Sequence, residues 1–415
     1  MAKAEAPVVV VGAGIVGICC AAYLVRAGVP VILVDRRGPG EMTSFGNAGG
    51  IQNLATMPIG MPGMMWDVPK WLRDPHGPLH IRKRYLPRAL PWLLRFMAET
   101  RLARVRHNAS ALQALNRHCV DSLMPLVRWA GVEDLIRVPG QLYLYMKRES
   151  YEGDRLVNAL RAASGESYDV LGKDEIRDLE PDLAPIFEVA LRAHGNGHCR
   201  DPYRLSQALA ERISREGGQV LRAEVNGLDV ADGKIAAVRT DRGTIVPRAV
   251  VIASGMWSRA LAKLLGHDVP LESQRGYHVT IADPGAAPRN MLMVLDKKIA
   301  ITPMETGVRI AGTVELAGLE ALPNYERAEI FLGIGKAIMP GLRTETHSEW
   351  MGHRPCLPDS LPVIGRAPRI ANAFFAFGHG HLGLIGAAPT GRVIAQIVTG
   401  QTPMIDLAPY RIDRF

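Results

Sequence analysis

The stretch Val8-Val9-Val10-Val11-Gly12-Ala13-Gly14-Ile15-Val16-Gly17 decides how this chain is read. Four consecutive valines predict a strand buried on both faces, and the helix after the glycines carries Cys19, Cys20, Ala21 and Ala22 on its early turns. Gly12 permits the tight turn off the strand, Gly14 lets backbone amides approach a pyrophosphate, and Gly17 lets the helix pack closely on the sheet. The helix presents its amide end and positive dipole to an anion there. A second apolar run, Val31-Ile32-Leu33-Val34, closes on Asp35, about 20 residues past the glycines, where an acid accepts hydrogen bonds from ribose hydroxyls and repels a phosphorylated ribose. The glycine pattern alone also fits an ordinary tight turn. Strand, helix and acid together predict a dinucleotide site, with Gly12, Gly14, Ile15, Val16, Gly17, Asp35 and Arg36 as contacts.

The 415 residues are 47% hydrophobic, enough for a large core divided between two domains. The glycine motif begins close to the N-terminus, leaving no room for a cleavable signal, and no run of about 20 uncharged apolar residues offers a membrane span. A cytoplasmic location is therefore expected. The five cysteines, Cys19, Cys20, Cys119, Cys199 and Cys356, form no CxxC pair and join no histidine cluster at zinc spacing, so neither metal nor disulfides are expected. The net charge is +8. Basic residues concentrate at Arg82, Lys83, Arg84, Arg88, Arg95, Arg101, Arg104 and Arg106, interleaved with Tyr85, Leu86, Leu90, Trp92, Leu93, Leu94, Phe96 and Met97. An ordinary helix packed on its apolar side is the preferred reading of this pattern; a helix lying on the inner membrane surface is the alternative. No nucleic-acid-binding module accompanies it.

Along the chain, the loop from Arg36 to Asn53 holds Ser44-Phe45-Gly46-Asn47-Ala48-Gly49-Gly50, small polar residues able to approach a cofactor. Residues 57–78 are crowded with Pro, Gly and Met and are expected to be irregular, part of a lid or entrance. Helical periodicity over 86–130 predicts a helical insertion. Asp201-Pro202 caps a helix through Arg215, Asp232-Gly233 marks a hairpin, and Ala249 to Ala253 is a further buried strand emptying into Ser254-Gly255-Met256-Trp257. Leu271 to Ile281 and Ile299 to Val314 alternate strongly, predicting a separate, mainly antiparallel sheet. Ala373 to Phe377 then leads through Gly378-His379-Gly380-His381-Leu382-Gly383 into a last helix. This second strand-to-helix junction would set its amides against another part of the same cofactor, such as a flavin pyrimidine edge. The fold class expected is α/β: a Rossmann-like domain from residues 1–56, 195–268 and 350–415, and a substrate domain from 57–194 and 269–349.

On these residues the chain resembles the FAD-dependent D-amino acid oxidase, glycine oxidase and sarcosine oxidase superfamily. Ser44 to Gly50, Gly276-Tyr277, Leu295-Asp296 with Lys298-Ile299-Ala300-Ile301-Thr302, Gly352-His353-Arg354-Pro355, Pro362-Val363-Ile364-Gly365 and Gly378-His379-Gly380 look like bacterial D-amino acid dehydrogenases. Val68-Pro69-Lys70-Trp71-Leu72, Arg275-Gly276-Tyr277-His278 and Trp350-Met351-Gly352 are similar to glyphosate oxidoreductases. The resemblance implies noncovalent FAD, since Cys356 lies too close to Pro358-Asp359 to match the flavin-tethering cysteine of sarcosine oxidases. It adds Ser44, Asn47, Ala48, Gly49, Val225, Ala253, Gly255, Trp257, Gly378, His379, Gly380, His381, Leu382 and Gly383 to the cofactor contacts.

The implied chemistry is hydride loss from the carbon bearing nitrogen to the flavin, then hydrolysis of the imine to an oxo acid. The substrate is a small amino acid or amine with a carboxylate: a D-amino acid, a D-proline-like imino acid or an N-substituted glycine. Oxygen or a quinone is the electron acceptor. Arg354 aligns with the family's carboxylate-binding arginine, and a guanidinium fork suits that task. Tyr277 would share the carboxylate, or serve the core; His353 and His278 would accept a proton or shape the pocket, or be satisfied structural histidines. Two other readings stay open at this stage, a nicotinamide-dependent dehydrogenase and a catalytically silent flavin-binding, membrane-associated protein.

Overall fold

The computed structural model describes residues 5–53, 57–74, 77–163, 165 and 167–415; the domain boundary expected at residue 56 lies outside them. The opening valines form the strand Val8–Val11 at the centre of a six-stranded sheet ordered Gln219–Arg222, Val31–Asp35, Val8–Val11, Ala249–Ile252, Ala373–Phe377, Val363–Arg366. All of its pairings are parallel except the last. Successive side chains alternate between faces: Val8 and Val10 join one core with the helices Ile15–Arg26 and Gly383–Val398, while Val9 and Val11 join another. That second core includes the three-stranded sheet of Val225–Ala231, Lys234–Thr240 and Gly243–Ile245. Both faces being covered explains the unbroken valine run, each side chain contributing on the order of 1.5–3 kcal/mol by burial.

Close backbone approach holds this layer together. A Cβ on Gly17 would lie 1.9 Å from the Gly12 carbonyl oxygen, and one on Gly391 would lie 2.5 Å from the backbone of Cys19. The first helix therefore packs on the strand turn, and the last helix on the first, through missing side chains.

A larger sheet runs in the order His347–Cys356, Glu272–Ile281, Gly307–Leu316, Ile299–Met304, Met291–Val294, Gln141–Tyr145, Val189–Ala193, Tyr168–Leu171, with Leu79–Ile81 paired alongside Gly307–Leu316. It is antiparallel except where Met291–Val294 meets Gln141–Tyr145 and where Leu79–Ile81 joins. One face carries Val279, Ile281, Ile301 and Ile310 into a core closed by the helix Glu326–Ile338.

Two segments differ from expectation. Residues 64–73, expected to be irregular, form the helix Met64–Arg73 with Pro69 inside it. Met64, Val68, Trp71 and Leu72 fall on one side at helical spacing, a period obscured by the surrounding Pro and Gly. The insertion is three helices, Leu86–Glu99, Leu102–Asn116 and Cys119–Ala130. The expected division assigns all of it to the substrate domain, yet Leu112, Leu115, Leu123 and Leu126 of the latter two share the core of the first sheet. Their apolar stripes cover the last helix, which has no strand layer outside it. Among the described residues no helix is long and apolar enough to cross a membrane.

Candidate active site

A cavity of about 1710 Å³ opens between the carboxyl ends of the parallel strands and the uncovered face of the large sheet. Pockets for small ligands run about 300–1,000 Å³, so this one accommodates a large cofactor and a substrate together. Of the residues expected to contact the cofactor, Gly12, Gly14, Ile15, Val16, Asp35, Arg36, Ser44, Asn47, Ala48, Val225, Ala253, Gly255 and Trp257 line it, as does the whole run Gly378 to Gly383. Gly17 and Gly49 do not. Gly17 serves helix packing, and Gly49 takes a φ of +80° with a Cβ position 2.5 Å from the Cys199 carbonyl oxygen; both act through the backbone.

At one end Gly12 adopts a φ of +109°, a conformation that side chains resist, and its Cβ position is filled by the Ala253 carbonyl. Around Gly14 the space is open except for the Ser44 hydroxyl, which accepts the Ile15 N–H at 2.9 Å. The helix start thus opens onto the cavity, with the Ser44 hydroxyl on the Ile15 amide. Asp35 Oδ2 accepts the Ala13 N–H at 2.7 Å and Oδ1 the Arg37 N–H at 2.9 Å. These bonds fix the carboxylate and leave lone pairs for hydroxyl donors. Beyond it the Arg36 guanidinium lies 4.6 Å from the Trp257 ring centre, a flat surface beside Val225.

The loop from Ser44 to Gly49 is clamped from the large sheet. Arg309 donates to the carbonyls of Phe45 at 3.1 Å and Asn47 at 2.7 Å, Thr302 donates to that of Ala48 at 2.7 Å, and Asn47 Oδ1 accepts the Gly49 N–H at 2.7 Å. Arg309 and Thr302 escaped sequence reasoning. A long polar side chain within an apolar strand was the available signal.

At the far junction Gly378 and Gly380 take φ of +86° and +55°, and a Cβ on Gly383 would meet nothing within 4 Å. The backbone is bare toward the cavity, a cradle suited to a planar ring. His379 turns inward, its Nε2 2.9 Å from Thr390 Oγ1, and burial lowers its pKa to about 3. His381 turns outward into the cavity, where surrounding protein, then the Arg354 charge, lowers its pKa to about 4. Both are uncharged at neutral pH. Flavin fits between these junctions on three grounds: glycine backbone at each end, an acid fixed beside the first, and a cavity large enough for the whole molecule.

Which residues of the large sheet reach the cavity depends on strand parity. In the pairing of Glu272–Ile281 with His347–Cys356, Gln274 stands opposite Arg354 and Gly276 opposite Gly352, so Arg354 extends over the space that a side chain on Gly276 would take. A Cβ there would lie 2.2 Å from Arg354 Cζ. Gly352 similarly makes room for Trp350, whose ring stacks on His278 at 5.1 Å. Arg354 donates to the carbonyl of Thr313 at 2.9 Å and of Gly312 at 3.4 Å. Thr313 has a φ of +51°, in the left-handed region, at a register shift between the paired strands. Arg354 has no ion pair among the described residues, and enclosure by protein lowers its pKa. A cation so placed, with unused N–H groups at a cavity wall, is chemically suited to receive an anion.

Tyr277 and His353 belong to the opposite parity. Tyr277 borders the cavity, but its hydroxyl donates to Glu315 Oε2 at 2.6 Å and accepts the Asn324 N–H at 3.1 Å within the core. It is not presented to a substrate carboxylate. Burial and the bond to Glu315 raise its pKa. His353 lies outside the cavity lining: its Nδ1 is 2.8 Å from Ser273 Oγ, its ring meets Trp257 edge-on, and burial then the Arg275 charge lower its pKa to about 4. His278 is buried against Trp350 with Nδ1 3.2 Å from the Gly46 carbonyl oxygen. Tyr277 forms part of the wall, while His353 and His278 pack behind it and hold the loop at Thr43 and Gly46. Among the described residues no cluster of His, Cys, Asp or Glu is arranged to hold a metal.

The chain is 40% identical over 415 residues to a D-amino-acid oxidase of Bradyrhizobium diazoefficiens, covering 98% of both chains. It is 34% identical to a D-amino acid dehydrogenase of Rhizorhabdus wittichii, over 98% of this chain and all of that one. Among solved structures, the L-proline dehydrogenase from P. horikoshii superposes with a TM-score of 0.77 at 19% identity, over 99% of this chain and 98% of the other, a likeness of fold. The profile of the FAD dependent oxidoreductases matches residues 7–397, and the chain belongs to that family.

Proposed function

We propose that this enzyme oxidises the carbon–nitrogen bond of an amino acid with a free α-carboxylate, D-amino acids first, with D-proline-like imino acids and N-substituted glycines suited to the same anchor. The carrying observation is Arg354: a guanidinium at the cavity wall, held by two carbonyls and facing no acid among the described residues. The relatives named above, a D-amino-acid oxidase and a D-amino acid dehydrogenase, support the substrate class.

FAD, rather than a nicotinamide, is the cofactor, and when bound it accepts the hydride released from the α-carbon. Gly12 to Val16 would hold its pyrophosphate, Asp35 its ribose, and Gly378 to Gly383 its ring, without a covalent tether. Arg354 grips the carboxylate through paired N–H groups and so fixes which face of the α-carbon meets the cofactor. Gly276 supplies the room for that grip. His381, neutral at pH 7, adds no positive charge beside the substrate nitrogen and offers it a hydrogen-bond acceptor. The resulting imine hydrolyses in water to an oxo acid, and oxygen or a quinone takes up the electrons. In domain terms, residues 5–53, 195–268 and 357–415 together with the helices of 102–130 carry the cofactor, and the large sheet, to which His347–Cys356 belongs across the boundary expected at residue 350, covers it.

The test is anaerobic reduction of the purified flavoprotein by single amines, followed at the flavin absorbance maximum. D-amino acids and D-proline are expected to bleach it faster than their L-enantiomers, and these and N-alkylglycines faster than the corresponding decarboxylated amines. Equal bleaching by decarboxylated amines would remove Arg354 as the anchor and the proposal with it.

A further inference from the structure

Among the described residues Thr313 alone is β-branched and has a positive φ, +51°, a conformation that such side chains resist and that persists only where the surroundings over-determine it. The strand Gly307–Leu316 changes partners around it. Gly312 is the last residue paired with Ile299–Met304 and Val314 the first paired with Leu79–Ile81, while on the other edge the register slips between the pairs Tyr277–Gly312 and Arg275–Glu315. In a regular strand successive carbonyls point to opposite edges. The kink at Thr313 turns the carbonyls of Gly312 and Thr313 to one guanidinium, that of Arg354.

The kink is held from behind by Arg327. Its Nη2 donates to Thr313 Oγ1 at 2.7 Å and to the Gly77 carbonyl at 2.9 Å. The Thr313 hydroxyl in turn donates to the Pro78 carbonyl at 3.4 Å, which also accepts the Val314 N–H at 2.7 Å. Arg327 is 5% exposed and stands in the first turn of the helix Glu326–Ile338, where the helix dipole opposes a cation. Burial adds to that cost and lowers its pKa, against the charges of Glu315 and Asp74. An apolar side chain there would carry neither cost, so stability does not account for a guanidinium at this position. Arg327 is not part of the cavity lining, and any effect it has on the substrate passes through Thr313.

We infer that Arg327 is a positioning residue for the substrate carboxylate: it fixes Thr313 in its left-handed conformation, and the carbonyls of Gly312 and Thr313 thereby hold Arg354 aimed into the cavity. The inference rests on Arg354 as the carboxylate anchor of the proposed reaction.

Anaerobic reduction of the FAD-loaded protein by D-alanine gives an apparent dissociation constant and a limiting rate separately. Arg327→Met and Thr313→Val are each expected to raise the dissociation constant roughly 10-fold and to change the limiting rate by less than about 3-fold, with flavin content unchanged. Arg327→Lys, which keeps a donor, should bind within about 3-fold of wild type. The double variant Arg327→Met, Thr313→Val should bind no more weakly than the weaker single one, because both changes cut the same link. Arg354→Met, measured alongside, separates the two readings. If it loses affinity while either single variant keeps the wild-type constant, or if the losses add in the double variant, this inference alone is overturned. Wild-type affinity in Arg354→Met would overturn the anchor itself and this inference with it.

Discussion

Replacing Arg354 by methionine separates function from stability. The guanidinium has five N–H groups, of which the carbonyls of Thr313 and Gly312 engage two, leaving enough for a paired grip on a carboxylate. Hydrogen bonds to charged groups contribute about 1.5–3 kcal/mol each, so losing a paired grip should cost about 3–6 kcal/mol in transition-state binding, a fall in kcat/KM of roughly 10²- to 10⁴-fold. The fold should not suffer. Arg354 is desolvated with no acid partner among the described residues, and methionine removes that cost while keeping much of the apolar stem. The melting temperature of the flavin-free protein is therefore expected to stay level or rise. Steady-state kinetics with a D-amino acid and a soluble dye acceptor, beside a thermal melt, read both quantities. A loss under about 10-fold in kcat/KM, or a melting temperature that drops by several degrees, would refute the assignment of Arg354 as an anion receptor rather than a structural arginine.

Other changes probe the surrounding parts. Gly276→Ala would place a Cβ 2.2 Å from Arg354 Cζ, displacing the guanidinium: KM should rise roughly 10- to 100-fold with flavin content unchanged, measured by kinetics and absorbance. Asp35→Ala removes the acceptor of the Ala13 N–H and the expected ribose contact; flavin retention on gel filtration should weaken by about 1–2 kcal/mol, roughly 5- to 30-fold in affinity. Acid should destabilise the protein through His278 and His379, whose pKa values burial lowers to about 3. The unfolded chain binds their protons near pH 6.5 and the folded chain does not, so their contribution is whole above that pH. It is lost progressively as pH falls toward 3, amounting to about 2 kcal/mol per histidine at pH 5. Urea midpoints between pH 7 and 4.5 check this, and a flat profile would contradict it.

The parts of the site built by the backbone were legible in the chain. Gly12, Gly14 and the run from Gly378 to Gly383 are there because side chains would obstruct, and that requirement is local to each turn. Asp35 was legible because it ends a strand whose neighbour ends at Gly12, so strand length alone brings them together. Tyr277 and His353 misled for one reason. Each stands next in sequence to a residue of the site, and in a strand the next residue faces the other way. Arg309 and Thr302 were missed because they act on the Ser44 to Gly49 loop across more than 250 residues of chain.

By itself the sequence determined the two glycine-rich junctions, the buried parallel strands between them and the presence of a second sheet, because turn geometry and apolar periodicity are properties of short segments. Tertiary structure alone decided which side chains of the large sheet extend into the cavity. The register that sets Gly276 opposite Gly352 clears the space into which Arg354 extends, and a shift of one residue would have turned Tyr277 to the cavity in its place. That register is set by contacts between strands far apart in the chain, where no local pattern records it.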